Sequence, residues 1–406
     1  MIRKRHFFHA PGFDPYDAAS QHRRFVREAA RFQTTWNVSA VVSDLRDPSA
    51  GEGHWSVTAT APGWTVEACY EILDWDDIVR AELDGRATSR LWNALVTFVD
   101  FIASGAVGRY FGANWRYALF FFVPFLNVIL FAVVAIILGW VAGAALGSLV
   151  FGSAGLGAVA GLVVTVLAFW LLMRWPGERW RVNQGLADWI FARDYMLRRR
   201  RDVEARAEAF ADRLVARARR ADADEIIVAG HSLGATIVVD MLARALARDP
   251  DLGRHGPQLG VLTIGATIPK LALHPGGDWV RAAARRIAAE PSLTWAEFQA
   301  RDDVISFHKF HPVELKRFKD VNDASPPVIR RVQIHEMLSE AAFRRYRFNF
   351  MRLHYQFVMA NERRALYDYF MLICGPAPFR RTINQANGPV DLYGADGSLR
   401  DPAVAG

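Results

Sequence analysis

Asp224-Glu225-Ile226-Ile227-Val228-Ala229-Gly230-His231-Ser232-Leu233-Gly234-Ala235 is the stretch that decides how this chain is read. Residues 226–229 form a short apolar run with the length and composition of a core strand. A Gly-x-Ser-x-Gly turn follows, and residues 236–242 continue as a helix with an apolar face. A serine hydroxyl is a weak nucleophile until it is held away from the backbone, beside a base and near donors for an oxyanion. A sharp strand-to-helix turn does this, and it leaves no room for bulky Cβ substituents two positions either side of the serine. The stretch predicts a nucleophile elbow centred on Ser232.

At 406 residues the chain has the length of two or three domain-sized pieces. Its apolar content of 52% is above the usual range for soluble domains. The excess is local. Between Arg116 and Arg174 there is no Asp, Glu, Lys, Arg or His, a run of 57 residues. A spanning helix needs about 20 apolar residues, so this run holds two spans and a tight turn. The spans are expected near 117–141 and 148–173, with the connection near 140–147. Gly139, Gly143 and Gly147, and then Gly157 and Gly161, recur at four-residue intervals that let two helices approach closely.

Both flanks of this hairpin carry arginine, notably Arg174, Arg179, Arg181 and residues 198–201, whereas the connection carries no charge. The positive-inside bias then puts both ends of the hairpin in the cytoplasm. Two cysteines, Cys69 and Cys374, match no metal or redox spacing, which fits a reducing compartment. The net charge of +7 comes with no zinc-finger, RNA-binding or basic-zipper pattern, so nucleic acid is not expected as a partner. The expected location is a bacterial inner membrane, with the remaining chain on its cytoplasmic side and the lipid bilayer as partner.

Around the hairpin the pattern alternates. An apolar strand over 5–10 runs into Pro11-Gly12, a helix covers 16–36, and strands follow at 38–45, 54–61 and 65–73. Helical periodicity covers 76–106 and 180–220; beyond the elbow, strands are expected at 260–265 and 293–298, and helix at 336–373. The segment from Pro376 reads as a polar, irregular tail to residue 406. This alternation around Gly-x-Ser-x-Gly predicts an α/β fold of the α/β-hydrolase type, a mostly parallel sheet flanked by helices. Residues 1–115 and 175–375 are then two parts of one domain, interrupted by the hairpin at 116–174. Parity supports this: two crossings return the chain to the side it left, and one could not.

In such a fold the partners follow in the order Ser, acid, His. The segment 295–306 runs as a strand into paired aspartates, making Asp302 the expected acid and Asp303 its alternate. Its duty is to hold the imidazole tautomer and stabilise its charged form. His308 and His311 stand too close to the acid strand to be the base. His354, ahead of a helix, is the expected base and His335 its alternate. The oxyanion hole is expected from the Leu233 amide, with Gly12 and Phe13 of the loop after the first strand supplying the second donor.

At these residues the chain resembles the α/β-hydrolase superfamily, and locally the class 3 lipases. The segment Gly230-His231-Ser232-Leu233-Gly234-Ala235 is similar to that family's elbow, 263–269 to the strand and loop after it, and 295–306 to its acid segment. The resemblance covers 224–354. It departs at Ala235, where a second glycine is usual, and in the membrane insert. It implies hydrolysis of a lipid or acyl ester through a covalent acyl-enzyme, with no metal or cofactor. Acyl thioesters lie within the same chemistry. A non-catalytic membrane scaffold that keeps the fold is the competing expectation, separable by labelling Ser232.

Overall fold

The computed structural model describes residues 1–47, 53–318 and 325–400. Strand β1 (Lys4–Ala10) lies inside an eight-stranded sheet. On one side it pairs in parallel with β4 (Trp64–Ile72), which continues antiparallel to β3 (His54–Ala61) and β2 (Ser39–Val42). On the other side the order is β5 (Glu225–His231), β6 (Gln258–Ile264), β7 (Leu293–Ala300) and the edge strand β10 (Val328–Val332), all parallel. A two-residue ribbon, β8 (Phe310–His311) with β9 (Lys316–Arg317), stands apart from the sheet. The architecture is α/β, a mostly parallel sheet flanked by helices.

Strands β5 and β6 are buried along nearly their whole length, as expected of central strands covered on both faces. One apolar cluster forms on the face packed by helix Ala18–Trp36 and the C-terminal segment. The other forms under helices Val182–Met196, Arg201–Arg220 and Gly234–Arg248.

Two helices are long and apolar enough to cross a membrane. They span Trp115–Phe151 and Ala154–Arg179, 37 and 26 residues including their terminal turns. They are inserted between β4 and β5, which both pair with β1, so the two flanking parts of the chain build one sheet. The connection is not at 140–147 as expected. The first helix continues through this stretch as Trp115–Leu146 and a π turn Gly147–Phe151, and the chain reverses at Gly152 and Ser153. The glycines do not end the helix but pack it. A Cβ on Gly143 would stand 2.7 Å from the Gly157 carbonyl oxygen, and one on Gly161 2.7 Å from that of Gly139. The start also differs: Tyr117, Ala118 and Phe121 are buried against the α/β domain, while Ile129, Ile136, Trp140 and Leu149 are exposed.

Helices Ala87–Ala103 and Ala106–Ala113 are bent by 68° and together also pass the length and polarity test. Ala94, Thr97 and Phe101 face inward, whereas Trp92, Leu95, Val99 and Ile102 form an exposed apolar stripe.

Three other expectations are revised. The helix over 180–220 breaks at 197–200 into Val182–Met196 and Arg201–Arg220. The region 336–373 is a series of short helices and turns. Residues 376–400, read as tail, form helices Phe379–Asn384 and Pro389–Leu392 and bury Phe379, Ile383, Leu392 and Tyr393 in the core; residues 401–406 lie outside the described residues. A buried pair anchors this segment. Arg5 meets Glu225 at 2.7 Å and donates to the carbonyls of Ile373, Gly375 and Ala377. Glu225 in turn accepts from the Phe379 amide.

Candidate functional site

Strand β5 ends at His231 and helix Gly234–Arg248 starts three residues later, so Ser232 occupies the turn between them. Its backbone is left-handed, with φ at 55°, which a non-glycine residue adopts only where the surroundings enforce it. The two glycines make the turn possible. A Cβ on Gly230 would lie 2.5 Å from Ala235 Cα, and one on Gly234 would run into the Ala10 and Pro11 carbonyl oxygens. The Ser232 amide donates to the Ile264 carbonyl at 3.1 Å, tying the elbow to the end of β6.

His354 closes the short helix Phe350–His354. Its Nδ1 lies 2.8 Å from Asp303 Oδ2, with both side chains nearly inaccessible to water. The other oxygen of Asp303 accepts from the Ile305 amide at 3.0 Å. Gly265 packs on the pair: a Cβ there would stand 3.1 Å from both Asp303 Oδ2 and His354 Cε1. A carboxylate on Nδ1 keeps the proton on that nitrogen and leaves Nε2 as the basic one. Nε2 of His354 makes no hydrogen bond. That nitrogen lies in the same cavity as Ser232.

The acid differs from the expectation. Asp302 points away and stands 4.0 Å from His335, a half-exposed pair outside the cavity. Asp303, the alternate, holds His354, and His335 is not brought to Ser232. The remaining expected residues converge: Gly12 and Phe13 line the cavity, and a Cβ on Gly12 would lie 3.1 Å from Ser232 Cβ and 3.6 Å from its Oγ. Leu233 follows the serine directly and buries its side chain. No protein-family model, curated protein or solved structure matches the chain.

The cavity has a volume of about 780 Å³. Sequence reasoning missed most of its wall. Phe120, Val123 and Pro124 of the first apolar helix form one side, with Trp180 and Phe350 nearby. Asp14 also reaches it, two residues past Gly12. Burial pushes the Asp14 carboxyl up to about 6, against the pull of the Arg181 and Arg24 guanidiniums and a hydrogen bond from Gln184. No local pattern could have revealed this: Asp14, Gln184 and Phe120 come from three distant segments.

Two further histidines surround the pair. His231 lies 4.4 Å from His354 between ring centroids, and its Nε2 is 3.1 Å from the His354 carbonyl oxygen. Burial, then the neighbouring His354 and His9, hold it well below the usual imidazole range. It is neutral, so it can donate to that carbonyl and brace the helix end. His9 is pushed down to about 3 by burial and is bonded to the Tyr369 hydroxyl at 3.1 Å. Among the described residues no cluster of His, Cys, Asp or Glu is suited to hold a metal ion.

Proposed function

We propose that this chain is a membrane-anchored serine hydrolase that cleaves a carboxylic ester of a lipid or acyl substrate. The observation that carries the reading is the buried Asp303–His354 pair at 2.8 Å, its free Nε2 in one cavity with a serine in left-handed backbone conformation. In this reading Ser232 Oγ attacks the ester carbonyl and His354 Nε2 takes its proton. Asp303 keeps the imidazole oriented and stabilises its charged form. The amides of Leu233 and of Gly12 or Phe13 receive the oxyanion. The tetrahedral intermediate then expels the alcohol, which takes the proton from His354. Water activated by the same imidazole releases the acid and restores the serine. No metal or cofactor is required. In the present geometry Nε2 makes no bond to the serine; such contacts often tighten only when substrate is bound.

The lipid assignment rests on the wall of the cavity. It is built partly from a helix that is apolar enough to cross a membrane, so an acyl chain leaving the bilayer would meet the Ser232 cavity along Phe120 and Val123. The exposed stripe Trp92, Leu95, Val99 and Ile102 supports the same orientation, since apolar residues on one helix face with polar neighbours suit the bilayer interface.

Labelling with a fluorophosphonate probe in native membranes tests the reading. Wild type should label, and Ser232→Ala and His354→Ala should not, with both variants retaining the unfolding midpoint of the parent to within a few degrees. A wild-type protein that fails to label, or a Ser232→Ala protein that still does, refutes it and leaves a non-catalytic scaffold.

A further inference from the structure

A second cavity, also of about 780 Å³, lies outside the Ser232 site. Arg116, Arg301, Lys309, Arg317, Arg330 and Arg331 line it, and among the described residues no carboxylate does. They come from four separate parts of the chain: the start of the first apolar helix, the end of β7, the β8–β9 ribbon and β10. Among the described residues, three of them make their hydrogen bonds to backbone carbonyls alone. Arg116 donates to the Arg301 carbonyl, Arg317 to that of Ala113, and Arg330 to those of Gln385 and Ala386. Arg301, Lys309 and Arg331 have no ion pair among the described residues. Among the described residues, Asp302 stands at His335, Asp391 bonds Asn387 and Glu314 pairs with Lys316.

Six like charges around one cavity repel one another, most strongly where protein shields them from water. The effect is visible at His308, which lines the same cavity. Burial, and then Lys309, Arg331, Arg301 and Arg116, push its imidazole down to about 4. Guanidiniums held at fixed positions by backbone carbonyls match the bidentate geometry of phosphate oxygens.

We infer that this cavity is a binding site for a phosphate-bearing anion, either a soluble polyphosphate compound or the head group of an anionic phospholipid. The six convergent cations and the size of the cavity define the shared chemistry, and the site is independent of the hydrolase reading. Trp115, exposed beside Arg116 at the start of the apolar helix, gives the lipid source its plausibility; a soluble ligand needs no such neighbour.

The test is calorimetric titration of the full-length protein in neutral detergent. The probes are pyrophosphate, ATP, and short-chain phosphatidate, with phosphatidylcholine as the reference lipid. Arg301→Gln/Lys309→Gln/Arg331→Gln removes three cations that hold no ion pair among the described residues. Arg220→Gln/Arg285→Gln/Arg286→Gln removes the same charge from exposed helix positions elsewhere. Wild type should bind at least one phosphate probe, and the first variant should weaken it on the order of a hundredfold, at roughly fivefold per cation. The second should change it by less than about threefold, since unpaired surface charges act only through a screened field. Binding of pyrophosphate or ATP supports the site with a soluble ligand; binding confined to phosphatidate supports it with a lipid. No binding of any phosphate probe, or equal losses in the two variants, overturns it. A failure here leaves fluorophosphonate labelling of Ser232 unaffected.

Discussion

Asp302 and Asp303 are chemically identical neighbours, and the distinction between them is purely geometric. Both follow the end of β7, where the chain leaves the sheet, and the turn sends one carboxylate inward to His354 and the other outward to His335. Chain order led to the pair of aspartates and to His354, because order survives in sequence. The choice within the pair did not, because it depends on the backbone direction of a turn. Asp303→Asn should keep the shape of the contact while favouring the wrong imidazole tautomer. Ester turnover and the rate of fluorophosphonate labelling should then fall by about a hundredfold or more. Asp302→Asn should alter either rate by less than about threefold, since its partner is a half-exposed histidine. The reverse ranking would remove Asp303 from the site. Each variant's unfolding midpoint separates lost chemistry from lost structure.

At the scale of elements, the strands with simple apolar patterns were legible and those specified by distant partners were not. Strand β5 carries a continuous apolar run, and its neighbours β6 and β7 are apolar or aromatic at most positions. Strand β10 reads Val-Ile-Arg-Arg-Val, and its arginines conceal an edge strand that needs only one well-covered face. The C-terminal segment is polar by count, yet Arg5 and Glu225 clamp it from more than 150 residues away in sequence. The apolar hairpin and its glycine packing were plain in composition, while its turn was misplaced because an uncharged apolar run carries no mark of where the chain reverses. Gly143 is such a packing position. A side chain there meets the backbone of Gly157 and Gly161, which cannot rotate aside. Gly143→Val should force the two helices apart and lower stability by about 1–3 kcal/mol, read as a reduced unfolding midpoint in mild detergent. Gly108→Ala, where nothing lies within 4 Å, should be neutral or slightly stabilising. Equal effects would mean that the hairpin is not held by this close approach.

For the whole molecule, sheet connectivity constrains topology more tightly than hydropathy does. Composition alone permits two crossings, or three if the bent pair Ala87–Ala103 and Ala106–Ala113 counts as one. Strand β4 precedes all of these helices and β5 follows them, yet both flank β1 in register, Phe7 opposite Tyr70 on one side and Ile227 on the other. An odd number of crossings would leave β4 and β5 on opposite sides of a bilayer and tear the sheet, so the connectivity predicts that the bent pair lies along the surface. Its exposed stripe is then expected in the interface, while its inner face packs on the domain. By the positive-inside bias, the arginines at both hairpin ends, with none at its turn, predict a domain on the cytoplasmic side. Single cysteines at Ser89, Leu149 and His255, all exposed positions, read this out with a membrane-impermeant maleimide. In inside-out vesicles Ser89→Cys and His255→Cys should label and Leu149→Cys should not; in right-side-out vesicles the pattern should invert. Ser89→Cys and His255→Cys reacting from opposite sides would require a third crossing. That outcome is incompatible with one sheet spanning both halves of the chain, and with a Ser232 site assembled from Gly12 on one half and His354 on the other.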